Sequence, residues 1–133
     1  MAKDTYFYAL GRRKSATARV RLSSGKGEIQ VNGQPVNDYF AASKYLAEAI
    51  AKPFNALELP AEKYVVSAKV SGGGHSAQAI AIQLGIAKAL SEMNEDFKAT
   101  LRRAELLGRD PRERERKKAG FKSARKKRQF TKR

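Results

Sequence analysis

The sequence predicts an α+β fold, a small, largely antiparallel sheet with helices packed on one face, and three observations predict it. Short segments in the first half alternate apolar and polar residues between turn signals. Residues 77–93 carry two adjoining apolar stripes at helical spacing. From residue 108 onward the chain has too few apolar side chains to extend a core. The organisation that follows is an α+β body over residues 1–107 and an extended basic tail over residues 108–133.

The elements come in order. Tyr6–Leu10 is aromatic and apolar and reads as a strand, after which Arg12, Arg13 and Lys14 sit in a GRRK loop. Ala16, Ala18, Val20 and Leu22 then fall on one face of a second strand, with Thr17, Arg19 and Arg21 on the other. SSGKG is a turn, Glu28–Val31 a short strand, and Asn32-Gly33 a hairpin signal before Gln34–Val36. This opening third reads as an antiparallel sheet. Asn37 or Asp38 is placed to cap a short helix near Tyr39 and Phe40. A second helix is expected over residues 43–52, with Ser43 as cap and Pro53 as stop. Tyr64, Val66, Ala68 and Val70 share the inner face of the next strand. The glycine turn SGGG follows it. Then Ala77, Ile80, Ala81, Leu84 and Ala87 trace one stripe, and Ile82, Ile86, Ala89 and Met93 the other. Phe97, Leu101 and Ala104 give a last helix, ended by Gly108.

Charge narrows the function. The chain holds 28 Lys and Arg against 13 Asp and Glu, a net of +15. Residues 107–133 alone hold 13 basic and 3 acidic residues, so a mildly basic body carries a strongly basic extension. A polyanion is the expected partner, and nucleic acid the commonest one. The tail lacks the Leu or Ile stripe that an anionic membrane surface would take up. With no cysteine, disulfide and thiolate chemistry are excluded. The N-terminus lacks the apolar core of a secretory signal and the apolar run at residues 80–87 is too short to span a bilayer, so a soluble intracellular chain is expected.

The tail is where magnitude decides. Of the 18 residues from Arg116 to Arg133, ten are basic and none acidic. Ordering 18 residues costs on the order of 20–30 kcal/mol. Burying Phe121 and Phe130 returns only about 3–6 kcal/mol together. Alone in water the segment is therefore expected to be disordered, and to need a partner that supplies dense negative charge.

Two motifs bear on chemistry. Gly72, Gly73 and Gly74 stand between a strand and a helix. Either they form a tight turn with positive φ or close packing, or their backbone N–H groups approach a phosphate at the helix N-terminus. A nucleotide site, and with it a small kinase, is the rival enzyme reading, but the stretch has neither GxxxxGK[ST] nor GxGxxG spacing. The second motif is GRRKSATARVR, which puts Arg12, Arg13, Lys14, Arg19 and Arg21 in one hairpin. That is a basic face for phosphates, against the plainer reading of charges that protect a sheet edge. A DNA binder is a further rival. His75, the only histidine, has no nucleophile or acidic partner legible nearby and reads as a surface residue. No cofactor, metal or small-molecule substrate is called for.

GRRKSATARV, the GGG turn before an alanine- and isoleucine-rich helix, RERKKAGFKSARKKRQF and the terminal TKR together resemble the bacterial-type small-subunit ribosomal protein nine family. The similarity runs from about Tyr6 to Arg133. It implies a non-enzymatic component of the small-subunit head, bound to rRNA beside other head proteins, in the cytoplasm or in an organelle. It also implies a left-handed βαβ crossover in the body, and a tail reaching the anticodon stem-loop of P-site tRNA. By position, Lys132 and Arg133 match the tRNA contacts, with Arg128, Gln129 and Phe130 near them. Arg12, Arg13 and Lys14 match body contacts to rRNA. The residues themselves add Arg19, Arg21, Gly72, Gly73, Gly74, Arg116, Lys117, Lys118, Lys122, Arg125, Lys126 and Lys127 as rRNA-binding candidates. Two departures stand out. Ala9-Leu10-Gly11 replaces a frequent Gly-Thr-Gly, so the first strand should run one or two residues further. Arg128 replaces a frequent proline, which removes a fixed φ and adds a cation.

Overall fold

The structure, a computed structural model, describes residues 6–41, 43–108 and 119. Strands β1 (Phe7–Arg13) and β2 (Ala16–Ser24) form a hairpin. Strands β3 (Ile29–Val31) and β4 (Gln34–Pro35) form a second, small one. Helices α1 (Val36–Tyr39) and α2 (Lys44–Ala56) lead through a 3₁₀ turn to strand β5 (Tyr64–Ser71). Helices α3 (His75–Met93) and α4 (Asp96–Arg103) follow. The sheet order is β1-β2-β5-β3-β4, with β3 parallel to β5 and the other pairs antiparallel. This is the α+β architecture expected.

The first third is not a simple meander. Strand β5 lies between β2 and β3. The link from β2 instead crosses the start of β5, where Gly25 N–H donates to the Lys63 carbonyl at 2.9 Å and Gly27 N–H to that of Glu62 at 3.3 Å. β3 thereby lands on the far side of β5. A parallel partner needs a helical crossover, and α1 and α2 supply it.

Strand β1 continues to Arg13, three residues past Leu10, so Arg12 and Arg13 belong to a strand and the connection is only Lys14-Ser15. The departure at Ala9-Leu10 is consistent with this, since both residues suit a strand better than glycine does. Helix α1 starts after Pro35, which caps it without a side-chain bond, so neither Asn37 nor Asp38 is the cap. Pro35 ends an edge strand, where a missing N–H costs no ladder bond.

Helix α2 begins as expected, with Ser43 Oγ accepting from Leu46 N–H at 3.4 Å. It does not stop at Pro53 but runs on to Ala56, with Pro53 and Phe54 buried. A proline leaves the carbonyl four residues back without its helical donor. That carbonyl, of Ala49, accepts instead from Gln83 Nε2 of α3 at 2.7 Å.

Helix α3 is the centre of the core. Ala77, Ala81, Leu84, Ala87, Ile82, Ile86 and Ala89 are all buried, as the two stripes predict. Met93, at the helix end, is partly buried, and Ile80 is 37% exposed because it faces the groove beside Tyr45 of α2. The helix packs chiefly on β1 and β2, with α2 along its side. Its small residues let it sit close. A Cβ on Gly11 of β1 would run into the Ala81 carbonyl oxygen and lie 2.7 Å from Gly85 N. One on Gly85 would lie 2.5 Å from Val20 Cγ2.

Candidate nucleic-acid interface

One end of the sheet gathers the β1–β2 connection, the glycine turn and the start of α3. Lys14 adopts φ 53° and is exposed at the tip. Gly72 and Gly73 have φ values of 77° and 63°, and a Cβ on Gly72 would strike the Ser15 carbonyl oxygen. Gly73 faces the Ala16 backbone, where an added Cβ would be 3.2 Å from its nitrogen. The turn reading of Gly72 and Gly73 therefore holds on both grounds, conformation and contact. The same geometry sets the cationic tip beside the N-terminus of α3. Gly74 caps that helix without a side chain, and among the described residues no atom outside its chain neighbours lies within 4 Å of where its Cβ would be. First-turn N–H groups of a helix have no intrahelical acceptor, which suits an anion.

A hydrogen-bond chain pins this end. Gln78, the one buried polar side chain among the described residues, donates to the Gly72 carbonyl at 3.0 Å. Its Oε1 accepts from Tyr39 Oη at 2.8 Å. Tyr39 Oη accepts from Asn32 Nδ2 at 3.4 Å. Asn32 also bridges Val70, accepting from its N–H at 2.9 Å and donating to its carbonyl at 3.2 Å. Asn32 and Gly33 both have positive φ, 51° and 82°, the hairpin geometry that Asn-Gly signals. His75 is exposed, as expected, and packs against the rings of Tyr39 and Phe40 at centroid distances of 5.8 and 5.7 Å.

The five cations of the hairpin do not share one face. Arg13 is half-buried and follows the parity of Ala9 and Gly11, toward the helices. Arg12, Arg19 and Arg21 are exposed on the opposite, open face. Strand alternation separates neighbours that a loop would have left together. The register adds residues that the hairpin motif misses. Leu10, Arg19 and Lys69 lie in one row across the sheet; Tyr8, Arg21, Ser67 and Gln30 lie in the next. Tyr6 joins them, with the Arg21 guanidinium carbon 5.1 Å from its ring centroid. The period-2 pattern of residues 64–70 already held Lys69 opposite the inner face. Only the strand order tells which cations it joins.

Among the described residues no group of three or more His, Cys, Asp or Glu is placed to hold a metal ion. No helix among them is long and apolar enough to cross a membrane. Arg116, Lys117, Lys118, Lys122, Arg125, Lys126, Lys127, Arg128, Gln129, Phe130, Lys132 and Arg133 lie outside the described residues.

Known proteins agree with the resemblance carried by these motifs. The family pattern described as Ribosomal protein S9/S16 matches residues 11–133. The chain is 47% identical over 130 residues to the small ribosomal subunit protein uS9 of Mycoplasma mobile, covering 98% of each chain. It is likewise 47% identical over 130 residues to the protein of the same name in Sorangium cellulosum, again over 98% of each. The chain belongs to the ribosomal protein S9/S16 family, whose members are structural, non-enzymatic proteins of the small ribosomal subunit.

Proposed function

We propose that the body grips small-subunit rRNA through the hairpin and glycine turn, and that the basic tail anchors it further and delivers Lys132 and Arg133 to P-site tRNA. One observation carries the body's part: Gly72 packs on Ser15, so the Lys14 tip and the open N-terminus of α3 form one anion-facing end. Arg12, Arg19 and Arg21 extend positive charge from that end over the sheet. For the tail the support is composition, ten cations and no carboxylate over 18 residues.

The division of labour follows from phosphate chemistry. Contacts to phosphates position a protein without reading sequence. That suits both a fixed rRNA scaffold and a tRNA site that accepts every tRNA. Phe121 and Phe130 are suited to stacking on bases or filling small apolar gaps between RNA segments. Neighbouring head proteins complete the set of partners, in the ribosome.

The test is the salt dependence of rRNA binding. Removing residues 117–133 is expected to weaken binding and to flatten the slope of log affinity against log salt, by about 0.7–0.9 for each phosphate that the shortened chain leaves without a cation. Equal slopes for the intact and shortened chains rule out the tail as an anchor.

A further inference from the structure

Tyr6, Tyr8, Arg19, Arg21, Ser67 and Lys69 line a depression of about 320 Å³ on the open face of the sheet. Among the described residues the lining holds three cations, two phenol rings and no carboxylate. Among the described residues every helix that packs on β1, β2 and β5 does so from the other side, where their buried residues lie. Tyr6 is 50% exposed and Tyr8 42%. Surface cations alone need no aromatic beside them. A flat ring half in solvent, flanked by cations and held on a rigid strand, is what an unpaired base with its two phosphates requires.

We propose that this face is a stacking platform for one unpaired nucleotide of RNA. The base lies on the Tyr8 ring, and the flanking phosphates meet Arg19 and Lys69, which are paired across β2 and β5. Arg21 is already set over Tyr6, so that pair walls one side of the site and leaves Tyr8 as the open ring. The depression is at the small end of the size range of ligand sites, ~300–1,000 Å³, which limits it to about one nucleotide. The proposal rests on RNA being the partner of the body, but it differs from phosphate contact in a measurable way. Stacking selects unpaired bases and is insensitive to salt.

The experiment uses the full chain, a fluorescein-labelled single-stranded RNA decamer and the same sequence as a duplex, with affinities measured over a range of salt. A second decamer carries 2-aminopurine. Tyr8→Leu is expected to lower single-strand affinity about five-fold or more with the salt slope unchanged. Duplex affinity should stay the same, and Tyr8→Phe should behave as the unaltered chain does. Lys69→Gln should instead reduce the single-strand slope by about 0.7. The unaltered chain should quench 2-aminopurine. Absence of quenching overturns the platform whatever the variants do. So does a Tyr8→Leu chain that binds both RNAs as before. If the unaltered chain binds neither RNA, the reading of the body as an RNA binder falls too; normal binding with a silent Tyr8 overturns stacking alone.

Discussion

Gly85 reads in the sequence only as an interruption of an apolar helix, and a helix-interior glycine costs about 1 kcal/mol against alanine. Its reason lies across the interface. An alanine there would press on Val20, and an alanine at Gly11 on the α3 backbone itself. Side chains can shift by a few tenths of an ångström, whereas a helix backbone moves as a unit. Gly11→Ala is therefore expected to destabilise by about 3 kcal/mol, at the top of the range for overpacking. Gly85→Ala should cost less, about 1–2 kcal/mol, because its better helix propensity offsets part of the clash. Urea denaturation of the two variants checks the order, and a Gly11→Ala chain as stable as the unaltered one would contradict the close approach. Gln78 was equally hidden. It sits among alanines and isoleucines in the sequence, and only the fold brings Tyr39 and the Gly72 carbonyl to its amide.

At the scale of elements, helix ends were the least legible. Pro53 signals a stop, yet α2 passes through it because Gln83 serves the carbonyl that the proline leaves unpaired. Gln83→Leu should cost about 1 kcal/mol, the low end of the penalty for a stranded acceptor, because the Ala49 carbonyl is only partly buried. In a Pro53→Ala background the backbone supplies its own N–H, and the same change should cost well under 1 kcal/mol. A double-mutant cycle by chemical denaturation measures that coupling, and additive effects would refute it. The last helix behaves in a related way. Gly108 looks like its terminator, but α4 stops at Arg103, with Glu105 at φ 59° and Leu106 N–H donating to the Leu101 carbonyl at 3.0 Å. Helix α2 ends alike, with Glu58 at φ 56° and Leu59 N–H donating to the Phe54 carbonyl at 2.9 Å. A leucine that reaches the core makes each turn, so a non-glycine residue takes the left-handed position at a cost of roughly 1–2 kcal/mol. Strands were easier. Their period of 2 assigned β2 and β5 to the correct faces, because a one-residue slip would expose every core side chain.

For the whole molecule, charge is the dominant fact. Residues 1–106 carry a net of +5, with Lys14 at the hairpin tip and Arg12, Arg19, Arg21 and Lys69 on the open sheet face, while residues 107–133 carry +10. If the chain end serves tRNA and the rest of the tail serves rRNA, the two functions separate by truncation. Removing Lys132 and Arg133 should leave assembly of the small subunit largely intact while weakening P-site tRNA binding. Affinities of subunits reconstituted with the shortened chain measure this, and an unchanged tRNA affinity counts against the contact. The hairpin motif identified the cations but not their grouping: Arg12 and Arg13, adjacent in sequence, end on opposite faces, while Arg19 and Lys69, fifty residues apart, become neighbours.

By itself the amino-acid order determined the fold class, the core helix, the inner faces of β2 and β5 and the excess of positive charge. Those depend on periodicity and composition, which are local. Strand order, the passage of α2 through Pro53 and the assembly of a tyrosine-and-cation surface from three strands were decided by tertiary structure. Each is a contact between segments distant in the chain, and its free energy exists only once both segments are in place.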